Sequence, residues 1–182
     1  MVLLYEYEIK IKVENLEKIR NKLQEMNANF LGVIEESDVY FLHPCRDFRR
    51  TDEALRVRIY NNKLELTYKG PKISDKIKAR EEINIELRHE DLQKIVELLE
   101  KLGFKKFLKV KKRREVYRIG GFEVNLDSIE DLGDFIEVEL KSACKDEKEA
   151  SNMLTNFVEK LGLEPKSILK SYLELLIERL RN

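Results

Sequence analysis

Three pairs of like charges, each separated by one residue, could carry the chemistry of this chain: Glu6-Tyr7-Glu8, Arg56-Val57-Arg58 and Glu137-Val138-Glu139. Side chains alternate faces along a strand, so each pair would share one face, its members ~7 Å apart. Two carboxylates at that spacing can share one or two hard cations, which prefer oxygen ligands. Two arginines at that spacing present forked donors that match phosphate oxygens. Lys10 continues the face of Glu6 and Glu8, so metal-type and phosphate-type groups stand on one segment.

The same alternation recurs along the chain. Glu65, Thr67 and Lys69 oppose Leu64, Leu66 and Tyr68; Arg80, Glu82, Asn84 and Glu86 oppose Ile83, Ile85 and Leu87. Asn125 and Asp127 oppose Val124 and Leu126; Glu137 and Glu139 oppose Ile136, Val138 and Leu140. For one strand, a charged face in water is the default reading. Two features count against it here. The charges come as Arg-x-Arg and Glu-x-Glu pairs, where a solvated face mixes Lys, Glu, Thr and Ser. The chain also carries four amphipathic helical stretches whose apolar stripes need apolar sheet to cover.

Eight strand signals lie at residues 2–13, 30–43, 54–61, 63–70, 79–88, 104–118, 121–129 and 134–141. Asn61-Asn62 and Gly120-Gly121 suit tight hairpins. Helical periodicity marks 15–28, 90–102, 146–161 and 167–180. The expected fold is α+β: a closed eight-stranded antiparallel barrel, charged faces inward, with helices packed outside. One domain is expected over 1–182, with the barrel in 1–141 and C-terminal helices in 146–180.

Composition narrows the class. Lys+Arg and Asp+Glu both number 35, a balance that argues against a nucleic-acid binder held by charge. High Glu and Lys with few Cys, Met and His is a composition found in thermophile proteins. Cys45 and Cys144 match no metal or redox spacing. No apolar run reaches the ~20 residues of a membrane span, and no signal-peptide pattern is present. The expectation is a cytoplasmic protein with no membrane and no nucleic-acid partner.

The motifs, in order, resemble the CYTH superfamily of triphosphate tunnel metalloenzymes, and within it the class IV adenylyl cyclases. The resemblance rests on Glu6-x-Glu8-x-Lys10, Asp38-Val39-Tyr40-Phe41, Thr51-Asp52-Glu53-Ala54-Leu55-Arg56-Val57-Arg58, Leu66-Thr67-Tyr68-Lys69-Gly70-Pro71, Arg80-Glu81-Glu82, Val110-Lys111-Lys112-Arg113-Arg114, Leu126-Asp127 and Leu132-Gly133-Asp134-Phe135-Ile136-Glu137-Val138-Glu139. It covers roughly residues 1–141. It implies metal-side carboxylates at Glu6, Glu8, Asp127, Glu137 and Glu139, and Mg²⁺ or Mn²⁺ as cofactor. It implies triphosphate-side cations at Lys10, Arg56, Arg58, Lys69, Lys112 and Arg114. Arg80 and Glu82 match the central strand's charged pair, and Lys10, Arg80, Glu82 and Asp127 are the expected catalytic group. Asn84 departs from the family pattern, in which a further acidic residue often stands there.

The implied substrate is ATP or another triphosphate. A cyclase would direct the ribose 3′-hydroxyl at the α-phosphorus; a triphosphatase would direct water at a terminal phosphorus. A non-catalytic polyphosphate-binding module is the third reading.

The remaining candidates are smaller. His43 and His89 read as turn residues rather than acid–base groups. Residues 44–53 read as a lid or a plain hairpin loop, and 71–78 as a second loop reaching towards a nucleotide. The leucine stripe of 167–180 either packs on the barrel or forms a homodimer interface.

Overall fold

The computed structural model describes the backbone of residues 5–72 and 78–181, and the side chains of 7–72 and 80–181. Eight strands form: β1 (Tyr5–Lys12), β2 (Asn29–Leu42), β3 (Ala54–Tyr60), β4 (Lys63–Lys72), β5 (Lys78–Arg88), β6 (Lys105–Ile119), β7 (Phe122–Ile129) and β8 (Gly133–Leu140). Every pairing is antiparallel. The order is β1-β5-β4-β3-β2-β6-β7-β8, and β1 also pairs with β8, so the curled sheet runs round on itself. The β3–β4 hairpin turns through Asn61 and Asn62, both at positive φ (44° and 62°). Asparagine tolerates that conformation and matches the strands' twist.

The outward faces carry the apolar residues. Helix α1 (Leu16–Glu25) starts at Asn15, whose side chain accepts the amide hydrogens of Glu17 and Lys18. Its Leu16, Ile19 and Leu23, with Leu154, Phe157 and Val158 of α4 (Glu147–Lys160), cover Ile9, Val124, Leu126, Ile136 and Val138. Helix α3 (Leu92–Lys101) places Leu99 against Phe41, Leu55, Val57 and Leu64. Short α2 (Phe48–Thr51) lies inside the expected loop 44–53 and buries Phe48 in the same cluster. The other expected loop is shorter than 71–78, because β4 runs to Lys72 and β5 starts at Lys78; its residues 73–77 lie outside the described ones.

One expectation is corrected. The C-terminal stretch 167–180 is helical only as α5 (Tyr172–Arg179), and it does not pack outside the sheet. Its Tyr172 and Leu176 cluster with Tyr40, Val110, Ile129 and Phe135. Those four occupy the inward face, in phase with Asp38, Lys112, Asp127 and Glu137. The leucine stripe found an apolar seat inside one mouth of the curled sheet, where the alternating charges give way to apolar side chains.

Candidate active site

The inward faces enclose a cavity of about 600 Å³. Lys10, Arg56, Arg58, Lys69, Arg80 and Glu82 line it, as do Lys112, Arg114, Glu8, Glu137 and Glu139. Of the residues singled out from sequence, Asp127 does not line it, and the side chain of Glu6 lies outside the described ones. Strand pairing accounts for the convergence. Arg58 stands opposite Asp38, Arg56 opposite Tyr40, Lys112 opposite Glu36 and Arg114 opposite Asp127.

The cation wall is built from buried pairs. Arg58 donates Nε to Asp38 Oδ1 at 2.6 Å and sets Nη2 2.9 Å from Glu36 Oε2. Lys112 Nζ lies 2.9 Å from the same Glu36 oxygen, and Arg56 Nη1 donates to Asp38 at 3.3 Å. Burial raises the pKa of Glu36, but Lys112 and then Arg58 outweigh it and hold the carboxyl at about 2. Burial likewise opposes ionisation of Asp38, and Arg58 and Arg56 overcome it. The Lys112 ammonium is pushed down by burial first, then by Arg114 and Arg58. The cations therefore crowd one another, with Glu36 and Asp38 as counterions. Neither carboxylate was assigned a site role from sequence. The signal for them was parity, since both stand on the charged face of β2.

Across the cavity three glutamates form a row over adjacent strands: Glu8 of β1 opposite Glu139 of β8, and Glu139 opposite Glu123 of β7. The Glu139 carboxyl is pushed up, chiefly by burial and further by Glu8 and Glu123, against the pull of Lys141. Glu137 is held by Lys10 at 3.1 Å and by Arg114. Among the described residues, no three carboxylate, imidazole or thiolate groups converge closely enough to hold an ion in this arrangement. The donor chemistry nevertheless fits a hard divalent cation. The row is all oxygen and repels itself, with Lys141 paired to Glu139 and Arg118 to Glu123. Glu123 was missed from sequence because it is the second residue of β7 and has no acid two positions on.

Asp127 is wholly buried. It accepts Arg114 Nε at 2.6 Å and the Tyr172 hydroxyl at 2.8 Å. The Tyr172 ring centroid lies 3.8 Å from Lys10 Nζ, and that ammonium also donates to the Lys170 carbonyl at 3.2 Å. Lys10, 1 % exposed, is thus enclosed by the C-terminal segment. Glu174 accepts Ser171 N–H in a capping box and lies 3.3 Å from Lys72, which also donates to Asp52 at 2.8 Å. Arg80 reaches Asp52 at 3.5 Å, and Lys69 pairs with Glu82. His43 accepts the amide hydrogens of Cys45 and Arg46 and packs on Phe104, as expected of a turn residue.

An eight-stranded curled sheet with a cation wall facing a carboxylate row defines a class, and comparison with known proteins gives it a name. The CYTH domain family model matches residues 4–172, and the chain belongs to that family. It is 37 % identical, over 93 % of its length and 97 % of the relative, to a Methanocaldococcus jannaschii protein whose name proposes adenylate cyclase activity. A solved Pyrococcus horikoshii structure is 44 % identical, with a TM-score of 0.86 over 96 % of this chain and 99 % of that one. A Hippeastrum structure, described as having a dominant triphosphatase activity, is 20 % identical with a TM-score of 0.72 over 96 % of both chains. Among the described residues, no helix is long and apolar enough to cross a membrane.

Proposed function

We propose that the chain is a metal-dependent enzyme acting on a triphosphate, of the class IV adenylyl cyclase kind, and that it converts ATP to cyclic AMP and pyrophosphate. The observation that carries this reading is the convergence of Arg56, Arg58, Lys112 and Arg114 on one buried cavity opposite Glu8, Glu137 and Glu139. In this reading the curled sheet works as a tunnel that holds the triphosphate extended.

Twelve carboxylates and ten cations are among the described residues lining the cavity. Such a lining does not draw in a polyanion by net charge. Glu8, Glu137 and Glu139 would hold a divalent cation, which would supply the missing positive charge and polarise phosphate oxygens. The protein's own groups then do the positioning. Arg56 and Arg58 present forked donors to phosphate oxygens, Lys112 and Arg114 neutralise the neighbouring phosphate, and Lys69 and Lys10 serve its ends. Asp127 fixes the Arg114 plane. Arg80 and Glu82 stand on the central strand, where Glu82 aligns Lys69. The 3′-hydroxyl oxygen bonds to the α-phosphorus, the bond to the bridging oxygen breaks, and pyrophosphate leaves with the electron pair; the hydroxyl proton passes to a lumen carboxylate.

The second reading is a triphosphatase, in which water attacks a terminal phosphorus. The activity described for the Hippeastrum structure favours it. Incubation of the purified protein with ATP and Mg²⁺ or Mn²⁺ separates the two by product. Cyclic AMP with pyrophosphate is expected; orthophosphate without cyclic AMP would sink the cyclase reading, and no turnover of any triphosphate would sink both.

A further inference from the structure

At the end of the curled sheet away from α5, the main cavity meets a recess of about 330 Å³. Leu31, Val33, Ile34 and Val116 give it apolar walls, Asn61 and Asn125 give it two amides, and Glu36, Arg114 and Glu123 border it. Gly32 lies there at an irregularity in the β2–β6 pairing and has no atom within 4 Å of where a Cβ would be, so the wall is open at that point. Asn125 lines both the recess and the main cavity and is 2 % exposed. Among the described residues its buried Oδ1 has no hydrogen-bond donor.

Its neighbours explain why none of the described residues supplies that donor. Asn125 stands opposite Glu137 and two residues from Glu123, and both are acceptors. Arg114 directs Nε and Nη2 to Asp127 and Glu137. A buried acceptor left without a donor is costly, so a ligand that brings one is favoured at that spot. Phosphate oxygens are acceptors and cannot fill it. An amino group on a base edge can, and an asparagine amide pairs with the amino hydrogen and neighbouring ring nitrogen of adenine in two hydrogen bonds.

We propose that this recess seats the nucleobase and that the Asn125 amide reads the amino edge of an adenine, so that the substrate is an adenosine triphosphate rather than inorganic tripolyphosphate. The inference rests on the triphosphate reading above.

The test is calorimetric titration of wild type, Asn125→Leu and Leu31→Ser with four probes: Mg²⁺ alone, then tripolyphosphate and the α,β-methylene analogues of ATP and ITP, each with Mg²⁺. ITP carries an oxygen where ATP has the amino group. Wild type should favour the ATP analogue over the ITP analogue by roughly tenfold, the scale of one buried unmet hydrogen bond. Asn125→Leu should bring that ratio to about one. Leu31→Ser changes a half-exposed wall residue, so it should weaken both nucleotides alike and keep tripolyphosphate affinity. Equal affinities in wild type, or a ratio that survives in Asn125→Leu, overturn the proposal. Loss of Mg²⁺ affinity in Asn125→Leu without nucleotide also overturns it, by making the amide a metal ligand. If Asn125→Leu fails to fold by circular dichroism, the wild-type ratio and Leu31→Ser decide. A wild type that binds tripolyphosphate but ignores the base sinks this inference alone; one that binds none of the phosphate probes sinks the triphosphate reading itself.

Discussion

The Tyr172 hydroxyl donates to Asp127 Oδ2 at 2.8 Å, so a residue of the last helix is tied to a wholly buried carboxylate on β7. The same carboxylate orients Arg114, and the same tyrosine ring covers Lys10. The seat of α5 and two cavity cations thus form one connected unit. Tyr172→Phe keeps the ring and should cost about 1 kcal/mol of stability, one net hydrogen bond. Tyr172→Ala removes the apolar plug as well and should cost about 3–5 kcal/mol. Urea unfolding measures both, and hydrogen exchange should quicken over 168–179 in the alanine variant only.

Asp38 compensates two buried arginines at once. Removing one partner of a buried ion pair leaves an uncompensated charge and typically costs about 3–5 kcal/mol. Asp38→Ala should therefore destabilise the protein strongly. Added tripolyphosphate should raise its melting temperature by more than it raises that of wild type, because the anion replaces the missing counterion. Equal shifts in the two proteins would contradict the placement of Arg56 and Arg58 at a phosphate site.

Acid should unfold the protein partly through Glu36. Its carboxyl is held at about 2, below the ordinary 4.5, because Lys112 and Arg58 outweigh the effect of burial. A depressed folded-state value means that this contribution is complete above 4.5 and lost as pH falls towards 2. Its ceiling is roughly 3 kcal/mol. Stability measured across that window should fall with a shallower slope in Glu36→Gln than in wild type.

Divalent cation binding should be lost on the opposite wall. Glu137→Gln and Glu139→Gln should each weaken Mn²⁺ binding at least about tenfold, read by electron paramagnetic resonance without triphosphate, since each removes an anionic oxygen ligand. Glu139 is pushed up by burial and by Glu8 and Glu123. Protons should therefore compete with the metal at a higher pH than at an ordinary carboxylate, and Mn²⁺ affinity should fall as the solution is acidified. A flat pH response would remove Glu139 from the metal site.

Much of the fold could be read from the chain because its signals are local. Alternation of period two located the strands, and the Asn61-Asn62 pair fixed one hairpin. The charged stripes named most of the cavity side chains, since parity assigns a face to every strand residue once one face is known. Other assignments depended on partners distant in sequence. Asp127 carries the same motif whether it faces a metal or an arginine; its pairing with Arg114 and the arrival of Tyr172 from 45 residues away are set by the fold alone. Glu123 gained meaning only when strand register set it beside Glu139.

The C-terminal helix marks the boundary most sharply. By itself the sequence determined that the inner face would be charged and that 172–179 would be amphipathic, because both follow from side-chain periodicity. It also held four inward apolar residues, Tyr40, Val110, Ile129 and Phe135, each in phase with charged neighbours on its own strand. Only the tertiary structure brought those four to one mouth and set the stripe of α5 upon them. The burial of an apolar face depends on which surfaces meet in space, and no single strand records that.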